Sequence, residues 1–166
     1  MITKEDLEKA RLFWQKKGVL RTANINGTRV KWYSSPQAIN PDLPDYAWLL
    51  SDGKEAVIAI SDSLPLDFQP FWAYHELIET TQEIGEGRCA RTLEKEIGFV
   101  PENIRKEYIQ RRKVFFKNLL KYSRNNDLPP ETIEEFERSL AYLENLTGDT
   151  MTFLNLPFLR ARREIK

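Results

Sequence analysis

Five apolar residues in a row, Ala56-Val57-Ile58-Ala59-Ile60, end abruptly at Ser61-Asp62. The run is too short for an ordinary helix and three of its members are β-branched, so it reads as a strand. Apolar side chains on both of its faces require cover on both. Asp52-Gly53 lies just upstream at a tight turn, which makes Tyr46-Ala47-Trp48-Leu49-Leu50 the hairpin partner. Ile25-Asn26-Gly27-Thr28 marks a second turn, because Asn and Gly tolerate positive φ, and predicts a hairpin over 19–34. A proline-bearing loop from Ser35 to Pro44 joins the two strand pairs.

Helical spacing governs the remainder. Thr3 and Asp6 have the form of an N-cap, Leu7, Ala10, Phe13 and Trp14 follow at helical intervals, and Gly18 stops the segment. A helix is expected from about 68 to 84, broken by Gly85 and Gly87, then a shorter one over 88–97. Pro101 opens a long helix with Ile104, Tyr108, Phe115, Leu119 and Tyr122 on one face. Asn125-Asn126-Asp127 and Pro129-Pro130 separate it from a last helix striped by Ile133, Phe136, Leu140, Leu143 and Leu146. The segment from Thr147, with Phe153, Leu154, Leu156, Phe158, Leu159 and a basic end, is expected to wrap back onto the body. The expected fold is α+β in a single domain over 1–166. It comprises a small antiparallel sheet with helices on one side, a central helix over 68–84 and a helical C-terminal half.

A chain of 166 residues is long enough for a real core. Its 25 basic and 25 acidic residues cancel, so no global field draws it to nucleic acid. The Arg111-Arg112-Lys113 and Arg160-Ala161-Arg162-Arg163 clusters lack interleaved aromatics or glycines and read as solvated faces or a weak partner site. No apolar run approaches a membrane span, and Met1-Ile2-Thr3-Lys4-Glu5-Asp6 leads into a charged segment rather than an export signal. A single cysteine, Cys89, excludes an internal disulfide and suits a reducing compartment. A cytoplasmic location is the expectation.

The chemistry concentrates at His75, the only histidine, in His75-Glu76-Leu77-Ile78-Glu79. At about 100° per residue, Glu79 lies roughly 40° from His75 around the helix and Glu76 about 100°. Gln82, Glu83 and Glu86 share that sector, and Trp72 lies one turn ahead, beside the acidic stripe; a tryptophan there reads most simply as core, with the lining of a cleft as the alternative. Side chains four apart on a helix can clasp one ion, as the two histidines of His-Glu-x-x-His do. The same stripe is also what the solvated face of an amphipathic helix looks like. One nitrogen with two or more oxygens suits manganese or iron(II) better than zinc. With no metal, the crowded carboxylates of Glu76, Glu79 and Glu83 should push at least one pKa up.

The stretch Val57-Ile58-Ala59-Ile60-Ser61-Asp62-Ser63-Leu64-Pro65, then Asp67-Phe68-Gln69-Pro70-Phe71-Trp72-Ala73-Tyr74-His75-Glu76-Leu77, resembles the small zincin-like metallopeptidases of bacteria and phages. In these gluzincin-type proteins an edge strand ends in a Ser-x-x-Leu-Pro-like corner and leads into an Ala-x-His-Glu-Leu helix. The resemblance covers residues 19–97 and is specific over about twenty of them. It implies His75 as first ligand, Glu76 as general base and Glu79 in the place of the second histidine. It implies a third ligand on a later helix, at Glu94 or Glu96, with Glu83 and Glu86 as nearer rivals. It also implies that the strand edge at 57–60 takes an extended peptide by strand addition. Because Ala56–Ile60 carries no charge or proline as edge protection, it must be either covered or used.

Two functions follow as expectations. One is a metal-dependent peptidase with an altered His/Glu site holding zinc, manganese or iron(II). The other, with no metal, is an inactive descendant that serves as a protein-interaction module. Both take a protein or peptide as partner and neither involves nucleic acid or membrane. Cys89 with His75 as a nucleophile pair is a third arrangement; as a small helical residue it reads more simply as core.

Overall fold

The computed structural model describes residues 1–147. The expectations for 148–166, the folded-back tail and its basic cluster, lie outside the described residues. Helix α1 (Lys4–Lys17) opens on a full capping box: Thr3 Oγ1 accepts from the Asp6 amide, and the Asp6 carboxylate accepts from the Thr3 amide at 2.8 Å. Gly18 then turns the chain directly into the sheet. Strands β1 (Val19–Ile25) and β2 (Thr28–Ser35) form the predicted hairpin about Asn26 and Gly27, both at positive φ. Strands β3 (Trp48–Ser51) and β4 (Ala56–Ser61) form the second, with Asp52 Oδ1 accepting from the amides of Lys54 and Glu55.

The sheet order is β1-β2-β4-β3, and here two expectations are corrected. The sheet is mixed rather than antiparallel, because β4 runs parallel to β2 with Tyr33 opposite Ala59 and Ser35 opposite Ser61. Strand β4 is therefore paired on both sides and offers no free edge for a peptide; the edges are β1 and β3. The loop from 36 to 47 makes this possible by carrying the chain past β4 to the far side, and it is fastened by Arg111, whose guanidinium donates twice to the Asp45 carboxylate at 2.6 and 2.9 Å.

Strand alternation sorts the core onto two faces. Tyr33, Val57 and Ala59 pack with Leu7, Ala10 and Trp14 of α1, while Val30, Trp32, Ile58 and Ile60 join the larger core beneath the other helices. Helices thus cover both faces, not one, which is the cover that the apolar run demands. The corner after β4 is closed by the Leu64 amide donating to the Ser61 carbonyl, with Leu64 fully buried. Helix α2 (Gln69–Thr81) is seated by Gln69, whose side chain accepts from the Trp32 indole at 3.0 Å and donates to the Leu64 carbonyl at 2.8 Å.

Helix α3 (Arg88–Phe99) packs along α2, α4 (Glu102–Asn125) meets it through Tyr108 and Phe115 against Trp72, and α5 (Pro130–Leu146) packs on α3 and α4. Gly87, left-handed at φ 78°, begins α3, and its amide donates to Glu135 of α5. This turn folds α3 back along α2, so the first turn of α3 faces the histidine.

Candidate metal centre

His75 is buried at the junction of α2, α3 and α4, with both ring nitrogens occupied. Nδ1 is 2.7 Å from Oε1 of Glu96, and Nε2 is 2.7 Å from Oε2 of Glu79. Glu96 is wholly buried and saturated: Arg112 donates from Nε and Nη2 at 2.8 and 3.0 Å, and the Tyr108 hydroxyl donates to the same carboxylate. Arg112 is itself buried, with its guanidinium 3.5 Å over the Trp72 ring. The chain Arg112–Glu96–His75–Glu79 alternates charge, which is how four ionisable side chains can share a dry interior.

Cys89 completes the group from the first turn of α3. Its sulfur is 3.8 Å from Nε2 of His75 and accepts a hydrogen bond at 3.2 Å from the Ser139 hydroxyl of α5. One ligand atom each from His75, Glu79 and Cys89 lies within 4.8 Å of the others. Glu79 and Cys89 also form part of the wall of a cavity of about 450 Å³, which continues past Arg88 to Glu135 and Arg138 of α5.

The electrostatics follow from burial and neighbours. Burial alone would pull the His75 pKa down, but hydrogen bonds to Cys89, Glu79 and Glu96 outweigh it and raise the pKa well above its usual value. Glu79 is held below the usual carboxylate range despite burial, through its bond to His75, and Glu96 likewise through the charge of Arg112. Burial pushes the Cys89 thiol up, and His75 only partly offsets this. Glu76 is the carboxyl that rises, to about 7, because burial and the charge of Glu79 outweigh the attraction of His75. Its side chain makes no hydrogen bond among the described residues, and it does not line the cavity beside Glu79.

The structure brings His75, Glu79 and Glu96 together, with Glu76 close by. Glu96 stands behind the imidazole, at Nδ1, so it cannot share an ion with Nε2. Glu94 is exposed on α3. Glu83 is paired with Lys95 at 2.5 Å and with Arg91, and Glu86 with Arg138. Trp72 is wholly buried, its indole donating to the Asp45 carbonyl at 2.9 Å, so it lines no cleft. The 111–113 cluster is no solvated face either, since Arg112 and Lys113 are buried and Arg111 is engaged with Asp45. The places of Arg112, Tyr108 and Ser139 around Glu96 and Cys89 went unread in the sequence. A signal for Arg112 existed: it falls in the apolar stripe 104–108–115–119 of α4, where a solvated arginine has no place.

Comparison with family models, with curated proteins and with solved structures returned no match for this chain.

Proposed function

We propose that this chain is a zincin-like metal-dependent hydrolase acting on a peptide or protein, with His75 and Glu79 as ligands and Glu76 as general base. The observation that carries the proposal is the bond between Nδ1 of His75 and the buried Glu96. A histidine that ligates through one nitrogen almost always has the other fixed by a carboxylate or carbonyl, and here Arg112 and Tyr108 fix that carboxylate in turn. The orientation leaves Nε2 turned toward Glu79, the residue at the i+4 position of the motif.

A divalent cation held there would polarise a scissile carbonyl and acidify a water. The protein's own part is proton handling. Glu76, next to His75 in the motif, would accept the proton that an attacking water sheds, and a cation at His75 would favour its ionised form. It then returns that proton to the amine nitrogen as the C–N bond breaks; the water's oxygen and its second proton stay on the new carboxyl group, which ionises to leave a carboxylate and an ammonium.

A second reading has its own support. The 2.7 Å between Nε2 and Glu79 is a direct hydrogen bond, and Arg112, Glu96, protonated His75 and Glu79 balance without a cation. On this reading the group is an internal brace and the protein works by binding a partner. Elemental analysis of the purified chain and calorimetric titration with zinc, manganese and iron(II) separate the two. The hydrolase reading expects about one equivalent of metal, lost in His75→Ala, and peptide cleavage that Glu76→Gln abolishes while metal content stays constant. Neither retained metal nor heat of binding would leave the brace.

A further inference from the structure

The geometry points to the thiolate of Cys89 as the third ligand of a zinc-selective site, completed by Nε2 of His75 and the carboxylate of Glu79. The inference rests on the metal-site proposal and adds what the sequence left open, the identity of the third ligand and hence of the ion.

Three observations carry it. The first is convergence: Nε2, a Glu79 oxygen and Sγ lie within 4.8 Å of one another. A sulfur and a carboxylate facing one imidazole nitrogen make poor sense as a nucleophile pair, since the carboxylate occupies the nitrogen that would serve the thiol. As donors to a shared cation they make good sense. The second is fit. Around a tetrahedral zinc with bonds of about 2.0–2.1 Å to nitrogen and 2.3 Å to sulfur, the N···S separation is roughly 3.6 Å. The observed 3.8 Å matches that spacing. The N···O separation of such a site is roughly 3.3 Å, so Glu79 must withdraw by about 0.6 Å. Its side chain is 22% exposed on the cavity side and has the freedom to do so. The third is support. The Ser139 hydroxyl lies 3.2 Å from the sulfur and shares its one proton between it and the Glu135 carbonyl at 3.0 Å, and Glu96 holds the imidazole from behind.

The competing acidic residues are accounted for by the same contacts. Glu96 is spent on Nδ1, Arg112 and Tyr108, Glu83 on Lys95 and Arg91, and Glu94 is exposed. A nitrogen, an oxygen and a sulfur form the three-ligand donor set of a catalytic-type zinc site, with the fourth position left to water. Sulfur also reverses the preference expected from a nitrogen-and-oxygen set, because thiolate favours zinc over manganese.

The test is cobalt(II) titration of the full-length chain followed by ultraviolet and visible absorption. Cobalt occupies zinc sites and reports a thiolate ligand through a sulfur-to-metal charge-transfer band. The expected result is one equivalent bound with that band present. In Cys89→Ala the band should vanish and zinc affinity should fall about tenfold or more, with Cys89→Ser as the version that keeps a partner for Ser139. Cobalt bound without the band overturns the role of Cys89 and leaves the metal site standing on His75 and Glu79. No cobalt bound overturns both. The wild-type spectrum decides the matter even if a variant fails to fold.

Discussion

Glu76 and Glu79 flank the same imidazole and titrate in opposite directions. Glu79 is depressed because it bonds to His75, whereas Glu76, half-buried and without such a bond, is desolvated and rises to about 7. The consequence for stability has a definite sign. The unfolded carboxyl ionises near 4.5, so between 4.5 and about 7 the folded chain binds the extra proton and stability falls as pH rises. The penalty is absent below 4.5 and full above 7. Glu76→Gln in metal-free protein should therefore leave the urea midpoint unchanged at pH 4 and stabilise by about 3 kcal/mol at pH 8. Equal midpoints at pH 8 would show that the carboxyl ionises freely in the folded state. Of the residues involved, His75, Glu76 and Glu79 were legible from helical spacing alone. Cys89 was not, because its approach to His75 depends on the turn at Gly87 and on no local pattern. Glu96 and Arg112 were half legible: each is a charge in an apolar stripe, and opposite charges so placed on neighbouring helices invite pairing.

At the level of elements, the junction of α1 and β1 is tighter than any turn signal indicates. Gly18 has an extended backbone that any residue could adopt, at φ −158°, yet a Cβ there would lie 2.5 Å from the Ser34 carbonyl oxygen and 2.8 Å from the Ser35 Cβ. Ser35 is held in place, because its hydroxyl donates to the Lys17 carbonyl at 2.7 Å. Gly18→Ala should cost about 2 kcal/mol through overpacking. Gly98, in helix α3 with nothing within 4 Å of its would-be Cβ, should gain about 0.5–1 kcal/mol as alanine. Denaturation midpoints of the two variants should move in opposite directions; a shared direction would refute the steric account. The contrast also explains what the sequence could convey about the sheet. Both hairpins were legible because Asn-Gly and Asp-Gly dictate local geometry. The insertion of β4 between β2 and β3 was not, since no local residue pattern specifies which strand a completed hairpin docks against.

For the whole molecule, the division of labour is by chain order. Residues 1–68 build the sheet and its outer helix, and contribute no side chain to the His75 network; every member comes from α2, α3, α4 and α5. Among the described residues no helix is long and apolar enough to cross a membrane.

The position of Arg112 then sets a timetable. Glu96 is translated 16 residues ahead of the cation that neutralises it, on the order of a second or more of synthesis at about 5–20 residues per second. Throughout that interval a dry seam between α2 and α3 would trap a carboxylate with only His75 to meet it. The nascent chain should therefore finish its sheet early and hold the α2–α3 seam open, hydrated and cleavable until α4 arrives. A fragment of residues 1–100 should be cut by protease within 80–95 and one of 1–147, which keeps the α5 contacts of Glu86, Gly87 and Cys89, should resist, whereas 1–147 carrying Arg112→Met should be cut like the shorter piece. Resistance in all three would mean that apolar packing alone closes the seam.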